Sequence, residues 1–162
     1  MDFCGLNIYF GSFVRPAPER PEGYEIFTKD VSPLLPGLAE LHFEPSSMYW
    51  GGRMVSELWN VPEIIVSENG MRSGDNLSTD GEIYDLYRIK YLREYLLSLA
   101  RAVREGYPVK GYFHWSLLDN FEWDAGTASR FGLHFTDYHT RRRYPKMSSK
   151  WYRELIRTRR ID

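Results

Sequence analysis

Residues 110–123 read Lys110-Gly111-Tyr112-Phe113-His114-Trp115-Ser116-Leu117-Leu118-Asp119-Asn120-Phe121-Glu122-Trp123, an apolar run that ends among polar side chains. Residues 110–118 show no strict alternation of polar and apolar positions. A short run of that kind fits a strand buried on both faces, as in a parallel sheet. Two further runs share its character, Phe3 to Phe10 and Glu63-Ile64-Ile65-Val66-Ser67. Between the second and third runs the pattern changes to helical, over about residues 82–105. Leu86, Ile89, Leu92, Leu96, Leu99 and Val103 step by three and four and draw one apolar stripe. Gly106 and Pro108 close that helix, as a glycine past the last turn and a following proline do.

Outward from these runs, residues 12–45 are rich in proline and lack periodicity, so a long loop is expected there. A helix from about Tyr49 to Trp59 follows. Residues 119–145 form a second long connection with a short hairpin around Phe131-Gly132-Leu133-His134-Phe135. A last helix takes Ser148 or Ser149 as its N-cap and carries Trp151 and Leu155. The order is β-loop-α three times. Repeated βα units with long loops after each strand point to an α/β barrel, whose functional site lies on the loops at the C-terminal ends of the strands. Three units cannot close a barrel that needs eight. The expectation is a partial (β/α)8 barrel: strands near 3–10, 63–67 and 110–117, parallel and adjacent in that order, with helices near 48–59, 83–105 and 148–158 on one face. A strand that starts right after Met1 is also unusual, because chains ordinarily begin with a loose segment. Something is expected to have preceded it.

Composition bounds the function. The 162 residues suffice for one domain with a sizeable core. A net charge of −1 creates no field that draws nucleic acid or an anionic membrane, and the basic stretches at 141–143 and 157–160 read as solvated surface. The one cysteine, Cys4, excludes an internal disulfide and offers no metal cluster. No apolar run approaches the roughly 18 residues of a membrane span, and no signal peptide is apparent. A cytoplasmic protein is expected, with neither metal nor organic cofactor. Aromatics reach 16%, with five Trp, twelve Tyr and nine Phe. Flat rings suit sugar faces, but an aromatic core is the simpler account of that number taken alone.

Two strand ends carry chemistry. Ser67-Glu68-Asn69-Gly70 closes the second strand, and a glutamate there is aimed at the mouth of a barrel. By itself this is a weak signal, because Asn-Gly turns are common. At the third strand, Trp115 and Phe121 are explained by a core. Asp119, Asn120 and Glu122 beside them are not, because buried polar groups need partners. A polyol ligand offers such partners.

These residues together resemble glycoside hydrolase family 1. Ile64-Ile65-Val66-Ser67-Glu68-Asn69-Gly70 is similar to the family's nucleophile motif, and Gly111 to Trp123 matches its last barrel strand almost residue for residue. Arg130-Phe131-Gly132-Leu133, Asp137-Tyr138 and Pro145-Lys146 to Trp151-Tyr152 follow at the family's spacing. Asp2-Phe3-Cys4-Gly5-Leu6-Asn7-Ile8-Tyr9 looks like its sixth strand, so the chain corresponds to barrel strands 6–8. The resemblance implies a retaining β-glycosidase of β-glucosidase type, with Glu68 as nucleophile and Tyr9 as the hydroxyl that tunes it. It implies that Asn7 lies nearby and that Trp115 floors the sugar site. Glu122 and Trp123 would bind sugar hydroxyls, and Phe131 would line the pocket. The implied partner is a β-glycoside or oligosaccharide.

Departures are also visible. Ser67 stands where Thr is usual, and Ile8 and Ile65 where Tyr is common. No Asn-Glu-Pro, the family's acid/base motif, occurs in the sequence. Glu122 is not expected to replace that acid, because retention needs two carboxyls about 5–5.5 Å apart across the scissile bond. Glu68 and Glu122 come from neighbouring strands on one side. The alternative function is a non-catalytic sugar-binding or assembly fragment that pairs with a complementary barrel fragment or with itself.

Overall fold

The structure is a computed structural model that describes residues 1–27 and 43–161. Strands β1 (Cys4–Asn7), β4 (Ile64–Asn69) and β5 (Val109–His114) form one parallel sheet in the order β1-β4-β5. Strand β4 is central; its Ile64 and Val66 are almost wholly buried on one face, whereas on the other Ile65 is half-buried and Ser67 exposed, so the strand is covered on one face and not on both as expected. Helices α1 (Ser46–Trp59), α2 (Leu86–Arg104) and α3 (Met147–Thr158) follow the three strands, so the βα order and the adjacency of the strands are as the sequence predicts. Two strands are shorter than expected, β1 ending at Asn7 and β5 at His114, whereas β4 runs on past 67 to Asn69.

The long loops carry structure of their own. Within the expected loop 12–45, β2 (Phe13–Pro16) and β3 (Tyr24–Phe27) form an antiparallel hairpin, clasped by the Phe13 and Phe27 rings 5.8 Å apart. The rest of that loop, residues 28–42, lies outside the described residues. A second hairpin joins β6 (His134–Thr136) to β7 (Arg143–Pro145), a little further along than the 131–135 expectation.

Helix α2 ends as its sequence demands. Gly106 takes φ +91°, the Gly106 N–H donates to the Val103 carbonyl, and the Tyr107 N–H donates to that of Ala102. Its buried face is rotated from the expected stripe. Leu92, Leu96 and Leu99 are inside, but Leu86 and Val103 are exposed, and Arg88, Tyr91, Tyr95 and Ala102 take the buried positions. Phenols and a guanidinium are buried here because each finds hydrogen-bond partners. In α3 the N-cap is Lys146, not Ser148 or Ser149. Ser148 is buried, and its backbone N–H donates to Asp85 Oδ1 at 2.8 Å.

Among the described residues, the outer edges of β1 and β5 carry no further strand. Beside β1, a groove of about 530 Å³ is lined by Ile8, Phe10, Val14, Trp50 and Met54 among others. Along α1, Trp50, Met54 and Leu58 stand exposed at four-residue spacing. Open edges and contiguous apolar surface favour association. The isolated chain is expected to self-associate with rising concentration in sedimentation and to bind an apolar dye. A monodisperse monomer that leaves the dye dark would contradict this.

Candidate active site

Parallel strands bring their C-terminal ends together, and all the sequence-picked side chains sit at that end. Glu68 is the penultimate residue of β4, Tyr9 follows β1 by two residues, and Trp115 follows β5 directly. The Tyr9 hydroxyl donates to Glu68 Oε2 at 2.8 Å. Trp115 Nε1 points to Glu122 Oε1 at 3.4 Å, a long contact. Glu122 is held by paired backbone hydrogen bonds with Gly126, at 2.8 and 2.7 Å. Burial, then the Glu68 carboxylate, then the field of Glu122 push the Tyr9 phenol well above its ordinary range. All three causes disfavour a phenolate, so Tyr9 stays a proton donor to Glu68.

The aim of Glu68 depends on an irregularity. Val66 packs against Tyr91 and Tyr95, and Asn69 bonds Tyr91, so both face α2 although they are three residues apart. Strict alternation would put them on opposite faces. The pairing with β5 shifts between Val66 and Asn69, and that with β1 shifts between Leu6 and Asn7. A shift of this kind re-aims a side chain, and Glu68 turns to Tyr9.

Other expected residues are placed differently. Asn7 Oδ1 accepts from Ser67 Oγ at 2.9 Å, so Asn7 engages the neighbour of Glu68 and not Glu68 itself. The Phe131 carbonyl accepts from the Ser116 N–H and meets His114 Nε2, both at 3.2 Å. Trp123 is 93% exposed and touches no other side chain through a described hydrogen bond or ring contact. Asp119 and Asn120 do not await a polyol. Asp119 accepts from Lys146 Nζ at 2.7 Å, Arg130 Nη1 at 2.8 Å and the Gly132 N–H at 2.9 Å. Asn120 donates to Ser116 Oγ and the Leu118 carbonyl. Of that polar group, Glu122 alone is turned toward Trp115 and Tyr9.

Behind the site lies a buried ionic lattice that no sequence signal announced. Arg88, wholly buried, donates to Asp75, Asp85, Ser73 Oγ and the Arg130 carbonyl at 2.7–3.0 Å. Lys146, also wholly buried, bridges Asp75 and Asp119. With Arg130 on Asp119, three cations meet three carboxylates. The lattice ties the loop after β4, the start of α2, the loop after β5 and the start of α3 into one support. Burial raises Asp85 above the usual carboxylate range, although Arg88 and Ser148 oppose it. Burial likewise lowers Lys146, with the Arg88 charge adding to it. His114 lies beside this lattice, and among the described residues its buried Nδ1 makes no hydrogen bond. Burial, then the Arg88 charge, depress it to about 3, so it is a neutral ring.

Among the described residues, no three His, Cys, Asp or Glu side chains converge as a metal site, and no helix is long and apolar enough to cross a membrane. What the arrangement offers is one strand-end carboxylate oriented by a phenol, with an indole and a second carboxylate beside it.

Comparison with known proteins gives one consistent result. The sequence model described as glycosyl hydrolase family 1 matches residues 1–161. The chain is 39% identical over 157 residues to beta-glucosidase A of Thermotoga maritima, an alignment that covers 97% of this chain and 34% of that protein. It is 39% identical over 170 residues to beta-glucosidase 44 of Arabidopsis thaliana, covering 97% and 33%. The solved family 1 β-glucosidase from Thermotoga maritima superposes with a TM-score of 0.85 at 39% identity, over 97% of this chain and 35% of that one. The chain therefore spans about a third of the length of the relatives it matches.

Proposed function

The chain belongs to glycosyl hydrolase family 1, and on that premise we propose that it carries the nucleophile side of a retaining β-glycosidase site. Glu68 attacks the anomeric carbon of a β-glucoside or related β-glycoside and forms a glycosyl ester, which water then cleaves. Tyr9 holds the attacking carboxylate by its hydrogen bond. Trp115 offers its indole face to the sugar ring, and Glu122 and Trp123 bind its hydroxyls. Asn7 and Phe131 complete the wall. The acid/base carboxyl belongs to sequence outside this chain, as the absence of Asn-Glu-Pro indicates. The observation that carries the reading is the 2.8 Å bond from Tyr9 to Glu68 at the C-terminal end of the sheet. Rigid orientation of a nucleophile by a neighbouring donor is what covalent catalysis requires.

A second reading, assembly with a complementary barrel fragment or a second copy, is favoured by the open edges of β1 and β5.

An activated aryl 2-fluoro-glucoside tests the first reading, because its leaving group departs without a proton. Intact mass with peptide mapping is expected to find one adduct, on Glu68. Alkyl β-glucosides are expected to stay uncleaved, because general acid catalysis contributes about 10²–10⁴-fold and its donor is missing. An adduct mapped to any other residue would remove the assignment. Brisk alkyl glucoside hydrolysis by the 162-residue chain would overturn the missing-acid reading and make Glu122 the first residue to substitute.

A further inference from the structure

The Tyr9 carbonyl lies against two phenols. Tyr91 Oη donates to it at 3.0 Å and Tyr95 Oη at 2.9 Å. The two rings are stacked 4.0 Å apart on successive turns of α2, and both are buried. Each phenol oxygen also accepts a bond that fixes its direction. Asn69 Nδ2 donates to Tyr91 Oη at 2.9 Å, and the Glu44 N–H donates to Tyr95 Oη at 3.0 Å. A phenol has one proton to give. An N–H points at each oxygen, and the Tyr9 carbonyl is an acceptor within reach of both phenols, at 3.0 and 2.9 Å.

Asn69 closes the arrangement. Its amide also donates to the Ile8 carbonyl at 2.8 Å, and its Oδ1 accepts from Tyr112 Oη at 2.7 Å. The Ile8 N–H donates to the Glu68 carbonyl at 2.9 Å. The backbone of Ile8 and Tyr9, irregular because β1 has ended, is thus gripped at three consecutive points by β4 and α2. Only the Tyr9 side chain is left to point, and it points at Glu68.

We propose that Tyr91 and Tyr95 are positioning residues: they clamp the Tyr9 carbonyl, while Asn69 holds Tyr91 and the Ile8 carbonyl, and so keep the Tyr9 phenol on the Glu68 carboxylate. The catalytic meaning of the clamp rests on the proposed role of Glu68, but its geometry does not. A stack of two tyrosines is costly to bury unless both oxygens are satisfied. Here they are satisfied in part at the carbonyl of Tyr9, the residue whose side chain bonds the candidate nucleophile.

The test uses the full chain with 3-fluorotyrosine placed at position 9, its fluorine shift followed against pH. The variants are Tyr91→Phe, Tyr95→Phe and both together, which keep the stacked rings. Freed from the clamp, the phenol leaves Glu68 and the burial that raise its titration, so its midpoint falls in the double variant and less in each single one. Tyr152→Phe, a half-buried phenol change away from Tyr9, leaves the midpoint in place. In parallel, the rate of 2-fluoro-glucoside labelling is expected to fall about tenfold or more in the double variant, the scale of one lost hydrogen bond to a charged group. In a Tyr9→Phe background the same two changes add nothing, because the group they position is gone. A purely structural role would cost as much there as in the parent.

An unchanged fluorine midpoint in all three variants overturns the clamp. So does a labelling loss that is equal with and without the Tyr9 hydroxyl. Should the double variant fail to fold, the single variants, each of which keeps one donor, decide the matter by the same two readouts. If nothing labels Glu68 in any chain while the midpoint still falls, the clamp stands and the nucleophile assignment goes.

Discussion

Replacing Arg88 by Leu is expected to destabilise the chain by about 3–5 kcal/mol at neutral pH, because breaking a buried ion pair leaves uncompensated charge behind. That is a large part of the roughly 5–15 kcal/mol that holds a domain folded. Arg88 is wholly buried, and it is the cation paired with Asp85, whereas Asp75 keeps Lys146. Asp85 already sits above its ordinary range because burial outweighs Arg88 and Ser148. Removing Arg88 raises it further. A carboxyl whose folded value is raised binds its proton more tightly folded than unfolded, so its cost is present above the folded value and relieved as pH falls. The gap between Arg88→Leu and the parent is therefore expected to be wider at pH 7.5 than at pH 5. Urea midpoints at the two values measure it. A gap that widens on acidification would show that Asp85 is not the charge left exposed.

Gly70→Ala is the second change expected to be severe. A Cβ at Gly70 would lie 1.9 Å from the Trp115 carbonyl oxygen and 2.9 Å from its carbon. Those are backbone atoms at the joint where the Trp115 N–H donates to Asn69 at 2.8 Å, so they cannot swing aside. Overpacking commonly costs about 1–3 kcal/mol, and more where the neighbour is rigid. The strand ends must separate, and Glu68 moves with them. Soluble, folded yield is expected to drop sharply, and any folded fraction is expected to lose labelling of Glu68 by the 2-fluoro-glucoside. Gly74→Ala is the control. Its Cβ would meet nothing within 4 Å, and its φ is not in the left-handed region. Equal behaviour of the two variants in circular dichroism and labelling would remove the close-approach account of Gly70.

The three strands and their order were legible because each is a short apolar run bounded by turn signals, although the structure covers one face of the sheet and not both. Helix α2 was legible from its spacing and its Gly106 stop. The β2–β3 hairpin was not, because its strands are four residues each and lie among Pro16, Pro18 and Pro21, which dilute any alternation. The site was legible as a set of residue types. The structure bonds Tyr9 to Glu68 and brings Trp115 to Glu122, whereas Asp119 and Asn120 bond within the chain.

The sequence by itself determined the βα order, the strand ends that carry carboxylates and the family those motifs resemble. These are encoded locally, in runs and turns a few residues long. Which face each polar group takes was decided only by the tertiary structure. The register shift between Val66 and Asn69 turns Glu68 to Tyr9. The pairing of Lys146 with Asp75 spans 71 positions, and that of Tyr95 with the Tyr9 carbonyl spans 86. A buried charge or phenol is tolerated only when a partner waits for it, and no local pattern in a sequence states that a distant partner is there.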